Sequence, residues 1–333
     1  MNRKSEFWGR AGRNSSRSEK MSDSPKIAVL SGGFGAEREV SLASGQALAD
    51  ALEQDFLVDL IDLREAALPS ELDPSNTVVF PVVHGTFGED GTLQMLLEEK
   101  GFSYAGSDRS SSRLCMDKGR TKAKVEEVGV KGAPDLFFQD PNTVDIAKVL
   151  SGLGNDLVIK PIDQGSSVAL FVIHGEEDLK DSLSRIEEGN WMVEKRIFGR
   201  EVTVGVLQGD SMGIVEVIPD GGVYDFKRKY SAGATEYRYP AVLQLEIENE
   251  LKRKAELVFE HCGCRDFARV DFIVCEDGHS HFLEINTLPG LTSTSLLPKS
   301  ASCSGYDFQS LAKRLVEPAV ARFTRPVGNL LET

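Results

Sequence analysis

Residues 268–286 read ARVDFIVCEDGHSHFLEIN, two runs rich in Val, Ile and Phe on either side of Asp277-Gly278. An Asp-Gly pair flanked in this way is a strong local signal for a β-hairpin. Counting outward from a two-residue turn sets Glu276 against His279, Asp271 against Glu284 and Arg269 against Asn286. Side chains alternate across a strand, so Arg269, Asp271, Glu284 and Asn286 share one face. Val270, Phe272, Val274, Leu283 and Ile285 form the apolar one. Opposed residues have Cβ atoms roughly 4.5–5.5 Å apart, and like charges at that spacing repel. Asp271 and Glu284 therefore need a cation between them. Asn286 adds a third oxygen, which makes the set suited to a hard divalent ion such as Mg²⁺. The plain alternative is a solvated strand face on which two acids tolerate each other.

The flanks favour the metal reading. Asn286 runs into TLPGLTSTSLL, a Gly/Pro/Ser/Thr loop fit to hold a small polar ligand. Three lysines stand where regular structure meets a turn: Lys118 after CMD, Lys160 at the end of DLVIK, and Lys229 in residues 220–240, DGGVYDFKRKYSAGATEYRYP. That last stretch is long for a connector and reads as a lid. DQGSSVA, just after Lys160, is small enough for backbone N–H groups to approach phosphate oxygens. Taken singly, each lysine is a solvated surface charge.

Further out, KIAVLSGG and VVFPVV (78–83) are apolar strands ending at turns. Each is followed by a helix-like segment, EVSLASGQALADALEQ and TLQMLLEEKG. Repeated strand–turn–helix units predict a parallel α/β sheet with functional residues at the carboxyl ends of the strands. The middle third differs: DLVIKP, SSVALFVI, NWMVEK and REVTVGVL read as strands around the amphipathic EEDLKDSLSRIEEG, a separate mixed domain.

At 333 residues the chain is long enough for two or three cores. The net charge of −14 argues against a nucleic-acid binder. No apolar run approaches the ~20 residues of a membrane span. The five cysteines are irregularly spaced and lack a second pair at zinc-site spacing. Such usage suits a reducing cytoplasm. Residues 1–25 carry six Lys or Arg against three acids and no apolar segment, and read as a disordered basic tail. There is no G-x-x-x-x-G-K-[ST] loop and no G-x-S-x-G elbow. GGFGAER approximates a dinucleotide fingerprint, but Arg38 stands at its third glycine, which keeps a nicotinamide enzyme as the weak alternative.

KIAVLSGGFGAEREVSLASG, HGTFGEDGTLQ, MDKGRTK, VIKPIDQGSSV, YDFKRKY and RVDFIVCEDGHSHFLEINTLPGLTSTSL stand in the order and spacing of the D-alanine–D-alanine ligases. From about Lys26 to its C-terminus the chain resembles that family. The resemblance implies an N-terminal parallel α/β domain (26–106) followed by a two-domain ATP-grasp fold, with a central lid domain (107–196) and a C-terminal catalytic domain (197–333). It implies that Glu37 holds the ammonium of the first D-alanine, with His84 near its carboxylate. Ser166 and Tyr230 would order the lid over Glu37. Lys118, Lys160 and Lys229 would contact ATP phosphates. Glu194 and Glu201, with backbone from Lys195 to Ile197, would hold adenine and ribose. Asp271, Glu284 and Asn286 would ligate two Mg²⁺, with Mn²⁺ as a substitute. Arg269 and Gly290 would stabilise the oxyanion, and Ser295 with Leu296 would bind the second D-alanine's carboxylate.

By the same resemblance the enzyme is a cytoplasmic homodimer that makes D-alanyl-D-alanine for peptidoglycan precursors through an acylphosphate, with no nucleic-acid or membrane partner. Two positions depart from the pattern. Ala169 stands for a glycine and Arg196 for an aromatic residue. In isolation the site residues have plain readings too: Glu37 as a helix-start carboxylate, Ser166 as a turn former, His84 as a supporting histidine and Tyr230 as a loop aromatic. Another ATP-grasp ligase would share Lys160, Asp271, Glu284 and Asn286 without Glu37, Ser166 and Tyr230. A nucleotide-binding regulator would bind ATP without turnover.

Overall fold

A computed structural model describes residues 24–165, 169–219 and 235–323 of the protein. Strand β1 (Lys26–Gly32) lies inside a four-stranded parallel sheet ordered β2-β1-β3-β4, with β2 Val58–Leu63, β3 Thr77–Pro81 and β4 Ser103–Tyr104. After Lys26 every residue of β1 is buried, as an unbroken apolar run in a covered parallel sheet should be. Helix α1 (Arg38–Leu52) packs on it so closely that a Cβ at Gly45 would sit 2.5 Å from the Ser31 Cβ. Helix α2 (Thr92–Glu99) covers the other face.

Two short helices follow, α3 (Arg109–Met116) and α4 (Lys118–Glu126). They start at Asp108 and Asp117, whose carboxylates accept from the backbone N–H of Ser111 and Arg120. Such caps satisfy donors that the first helical turn leaves open. Strands β5 (Asp135–Phe138), β6 (Asp156–Pro161), β7 (Phe171–His174) and β8 (Trp191–Lys195) form an antiparallel sheet ordered β5-β8-β6-β7. Helices α5 (Ile146–Leu153) and α6 (Gly175–Ser184) pack on it over a core that includes Leu153, Ile159, Ile173 and Leu179.

The third sheet is antiparallel and ordered β11-β10-β9-β12-β13. Its strands are β9 (Arg200–Leu207), β10 (Asp210–Pro219), β11 (Thr235–Arg238), β12 (Phe267–Val274) and β13 (Ser280–Asn286). Helix α7 (Leu245–His261) covers one side, while α8 (Leu296–Ser302) and α9 (Phe308–Arg322) join it to the first sheet. A single core cluster holds Val29 of β1, Phe80 of β3, Phe267 of β12 and Leu315 of α9, with the two phenyl rings stacked at 5.7 Å.

Three expectations change in detail. REVTVGVL belongs to the third sheet, where β9 pairs with both β10 and β12, and not to the middle one. Of the described part of SSVALFVI, residues 171–173 are strand, within Phe171–His174, and Ala169 before them has φ +55°. The hairpin turn also differs. Cys275 N–H donates to the His279 carbonyl and Gly278 has φ +85°, so three residues, 276–278, make the turn. That register would misplace the acids, but a bulge between Asp271 and Phe272 restores it. Phe272 pairs with Phe282, and Asp271 still faces Glu284. The bulge turns Phe282 into the core in place of Leu283, which is only half-buried.

Arg322 at the end of α9 clasps Asp266 with both guanidinium nitrogens (2.7 and 2.6 Å) and also donates to the Tyr104 carbonyl. The same Asp266 accepts from Gly106 N–H, so one buried carboxylate ties β4 to the last helix. Removing its cation would leave that charge uncompensated. R322M is expected to lower stability by about 1–2 kcal/mol in urea unfolding, less than for a fully buried pair because the guanidinium is partly exposed while Asp266 is buried.

Candidate active site

Part of the predicted set meets where the first and third sheets face each other across a cavity of 660 Å³, with Asp271 behind its wall. Glu37, at the start of α1, and His84, just beyond β3, line one wall. Arg269, Glu284 and Asn286 line the facing wall, with Lys118 between. Gly290, Ser295 and Leu296 close the end. Ser166, Lys229 and Tyr230 lie outside the described residues. Lys160, Glu194, Lys195, Ile197 and Glu201 are not in this wall. They sit at the ends of β6 and β8, in the link after β8, and at the start of β9.

Across the hairpin, Asp271 pairs with Glu284 and Arg269 with Asn286. Asp271 is buried and accepts from Arg269 Nε at 2.9 and 3.2 Å and from its Nη2 at 2.8 Å, and also from the Thr203 hydroxyl. The ammonium of Lys118 lies 3.8 Å from Glu284 and donates to the Gln164 carbonyl at 2.6 Å. The backbone of Lys118 also bonds Ile162, which fastens the residues after β6 to α4. The repulsion expected of two opposed acids is thus met by one cation on each.

Behind them lies a second charge cluster. Glu194 is buried and accepts from Lys160 at 2.6 Å and Lys122 at 3.0 Å, and Lys122 also contacts Asp135. Burial alone would push the Lys160 ammonium down, but Glu194 outweighs it and holds Lys160 above the ordinary lysine value. Burial would raise Glu194, yet Lys160 and Lys122 hold it below the usual carboxylate range. Lys122 was not singled out in the sequence. Its signal is the i, i+4 spacing from Lys118, which places both on one face of α4.

His84 is buried. Burial pulls its imidazole down, but Glu89 and Glu37 lift it above the ordinary histidine value. Glu89, 3.8 Å from Nδ1, is the first of two acids in GEDG (88–91) and accepts from Gly85 N–H at 2.8 Å. Nε2 of His84 is buried and makes no hydrogen bond of ordinary geometry among the described residues, while the Leu288 backbone beside the ring also helps hold the imidazole up.

Asp271, Glu284 and Asn286 offer two carboxylates and an amide, all oxygen donors. Among the described residues no three His, Cys, Asp or Glu side chains gather closely enough to hold a metal by themselves. A set of two acids and one amide fits Mg²⁺, which keeps several positions for water and phosphate oxygens. At the other departure from the family pattern, the Arg196 guanidinium lies 4.8 Å above the exposed Phe198 ring, at the end of β8 where the nucleotide base is expected.

A parallel α/β unit followed by two antiparallel sheets, with lysines and paired acids converging between them, is the arrangement of an ATP-grasp ligase. The D-ala D-ala ligase N-terminus model matches residues 64–107 and the D-ala D-ala ligase C-terminus model residues 128–317. The chain is 41% identical over 301 residues to the D-alanine–D-alanine ligase of Syntrophotalea carbinolica, covering 89% of this chain and 97% of that one. It is 40% identical to that of Geobacter sulfurreducens, covering 87% and 93%. A D-alanine–D-alanine ligase from Bacillus anthracis, solved in complex with ATP, superimposes with a TM-score of 0.79 at 27% identity, covering 89% and 98%. The chain belongs to the D-alanine–D-alanine ligase family.

The Glu194 cluster sets an expected pH profile. A carboxylate held low adds stability at neutral pH and loses it as pH falls below the usual carboxylate range. A lysine held high keeps its share until pH rises past the ordinary lysine value. E194Q should flatten the acid limb of a Tm-against-pH curve. The same variant should raise the KM for ATP by about tenfold, ~1.4 kcal/mol.

Proposed function

We propose that this protein joins two D-alanines at the expense of ATP, through an acylphosphate, to supply D-alanyl-D-alanine for peptidoglycan precursors. The observation that carries the reading is the gathering of Lys118, Arg269, Glu284 and Asn286 with Glu37 and His84 around one cavity. A carboxylate is a poor electrophile with a hopeless leaving group, so it must be activated before an amine can attack. Phosphoryl transfer needs positioning and charge neutralisation more than a protein nucleophile. That fits a site furnished with lysines, an arginine and acids.

Glu37 takes the ammonium of the first D-alanine, and His84 faces its carboxylate from a buried, positively biased position. Lys118 and Lys160, with Lys229 of the lid stretch, neutralise ATP phosphates. Glu194, Lys195, Ile197 and Glu201 hold the nucleoside. Asp271, Glu284 and Asn286 would hold Mg²⁺, or Mn²⁺ in its place, which would supply positive charge beside the phosphates. Arg269 and the Gly290 backbone stabilise charge on the acyl oxygen as the second amine attacks, and phosphate leaves. Ser295 and the Leu296 backbone hold the carboxylate of that second D-alanine. Ser166 and Tyr230 complete the closure that keeps water from the acylphosphate.

The resemblance also supports a homodimer in the cytoplasm, and five free thiols accord with a reducing compartment. No helix among the described residues is long and apolar enough to cross a membrane.

Phosphate release from ATP should be strong with D-alanine and weak with L-alanine or D-lactate alone. With ¹⁸O in the D-alanine carboxylate, label should pass to inorganic phosphate. Unlabelled phosphate would exclude the acylphosphate route. E284Q should lower kcat by roughly a hundredfold or more, as expected when charge stabilisation at the transition state is lost.

A further inference from the structure

Lys299 lies inside α8, directly behind the loop that carries Thr292, Thr294 and Ser295, and the residue is 8% exposed. Its ammonium donates to the Thr294 carbonyl and stands 4.7 Å from the Tyr237 ring centroid and 5.8 Å from that of Tyr239. Among the described residues no carboxylate lies within ion-pair distance of it, and burial alone pushes its pKa down. A buried ammonium without an anion is expensive. Two aromatic faces and one carbonyl offset part of that penalty. The remainder favours an anion arriving from outside.

The loop in front of it is knit for holding a ligand. Thr292 N–H donates to the Ser295 hydroxyl at 3.1 Å, and Ser295 N–H returns a bond to the Thr292 carbonyl at 2.9 Å. The hydroxyls of Thr292 and Ser295 meet at 2.8 Å. Thr292, Thr294, Ser295 and Leu296 all line the cavity, while Tyr237 lines it from β11 and packs against Leu296. Lys299 thus touches both walls of this end of the cavity without opening onto it.

We propose that Lys299 is a positioning residue of the acceptor subsite, fixing the Thr294 carbonyl and the Tyr237 wall and balancing the carboxylate of the incoming amino acid. This rests on the reading that residues 292–296 hold the second D-alanine. A lysine serving only as a structural clip would affect both amino-acid subsites alike. A charge behind one of them acts on that one.

The test is steady-state ADP release by the full-length protein with D-alanine varied, resolving the donor and acceptor constants, alongside thermal unfolding. K299M, similar in volume but uncharged, should raise the acceptor KM by about tenfold, ~1.4 kcal/mol. The donor KM and the KM for ATP should move less than about twofold, and K299R should return the acceptor KM to within about threefold of wild type. A K299M protein with unchanged acceptor KM overturns the proposal. So does one in which both D-alanine constants shift together, or one that K299R does not rescue. Should K299M not fold, Y239L removes one ring at a position outside the cavity and should raise only the acceptor KM, by about twofold. No change there overturns the proposal equally. Wild-type protein with no D-alanine-dependent ADP release would instead sink the reading of the site itself.

Discussion

Two carboxylates facing each other across a pair of strands are the constraint around which this molecule is arranged. Asp271 and Glu284 would repel at the spacing of opposed strand residues. Each is met by its own cation, Arg269 on one and Lys118 on the other. Lys118 in turn is fixed by the Gln164 carbonyl, and beside it Lys160 and Lys122 converge on buried Glu194. The outcome is a chain of alternating charge running from the third sheet, through α4, into the middle one. In a protein of net charge −14, that local concentration of lysine is what makes an anionic ligand welcome.

The three sheets divide the work by their physical character. The hairpin belongs to a five-stranded sheet with a dense core, so its acids are held rigidly. The parallel sheet brings Glu37 and His84 to the carboxyl ends of its strands, where such sheets place ligands. The arginine clasp on Asp266 and the stack of Phe80 on Phe267 bind these two sheets together and so fix the width of the cavity. The third contribution, from the middle sheet, is electrostatic and comes through residues at strand ends.

Both departures from the family pattern have a structural counterpart. Ala169 adopts φ +55°, the left-handed region that a glycine enters freely and an alanine at a penalty of roughly 1 kcal/mol. Strain is therefore stored just beyond the loop expected to approach phosphate. Arg196 does not leave its position bare of π character, because its guanidinium lies over Phe198. A flat cation backed by an aromatic ring offers a stacking surface of its own.

What could be read without coordinates was local and periodic. The apolar runs, the Asp-Gly turn and the alternation in the hairpin identified β1, β3, β6, β8, β9 and the pair β12–β13, and set Asp271 against Glu284, because side-chain direction in a strand depends only on counting. Even that count came right for a reason the residues do not display. The turn holds three residues, and a bulge beside Asp271 cancels the offset. The family motifs supplied Glu37, His84 and the loop after Asn286, and all of these line the cavity. Glu89, Thr203 and Lys299 stayed hidden, and Lys122 showed only its spacing from Lys118, since nothing nearby in sequence marks a lysine as buried or an acid as its partner. Their meaning arises when segments up to some 70 residues apart, such as Lys122 and Glu194, are brought into one desolvated place. Burial and charge pairing are properties of the assembled interior, so only the tertiary structure could decide them.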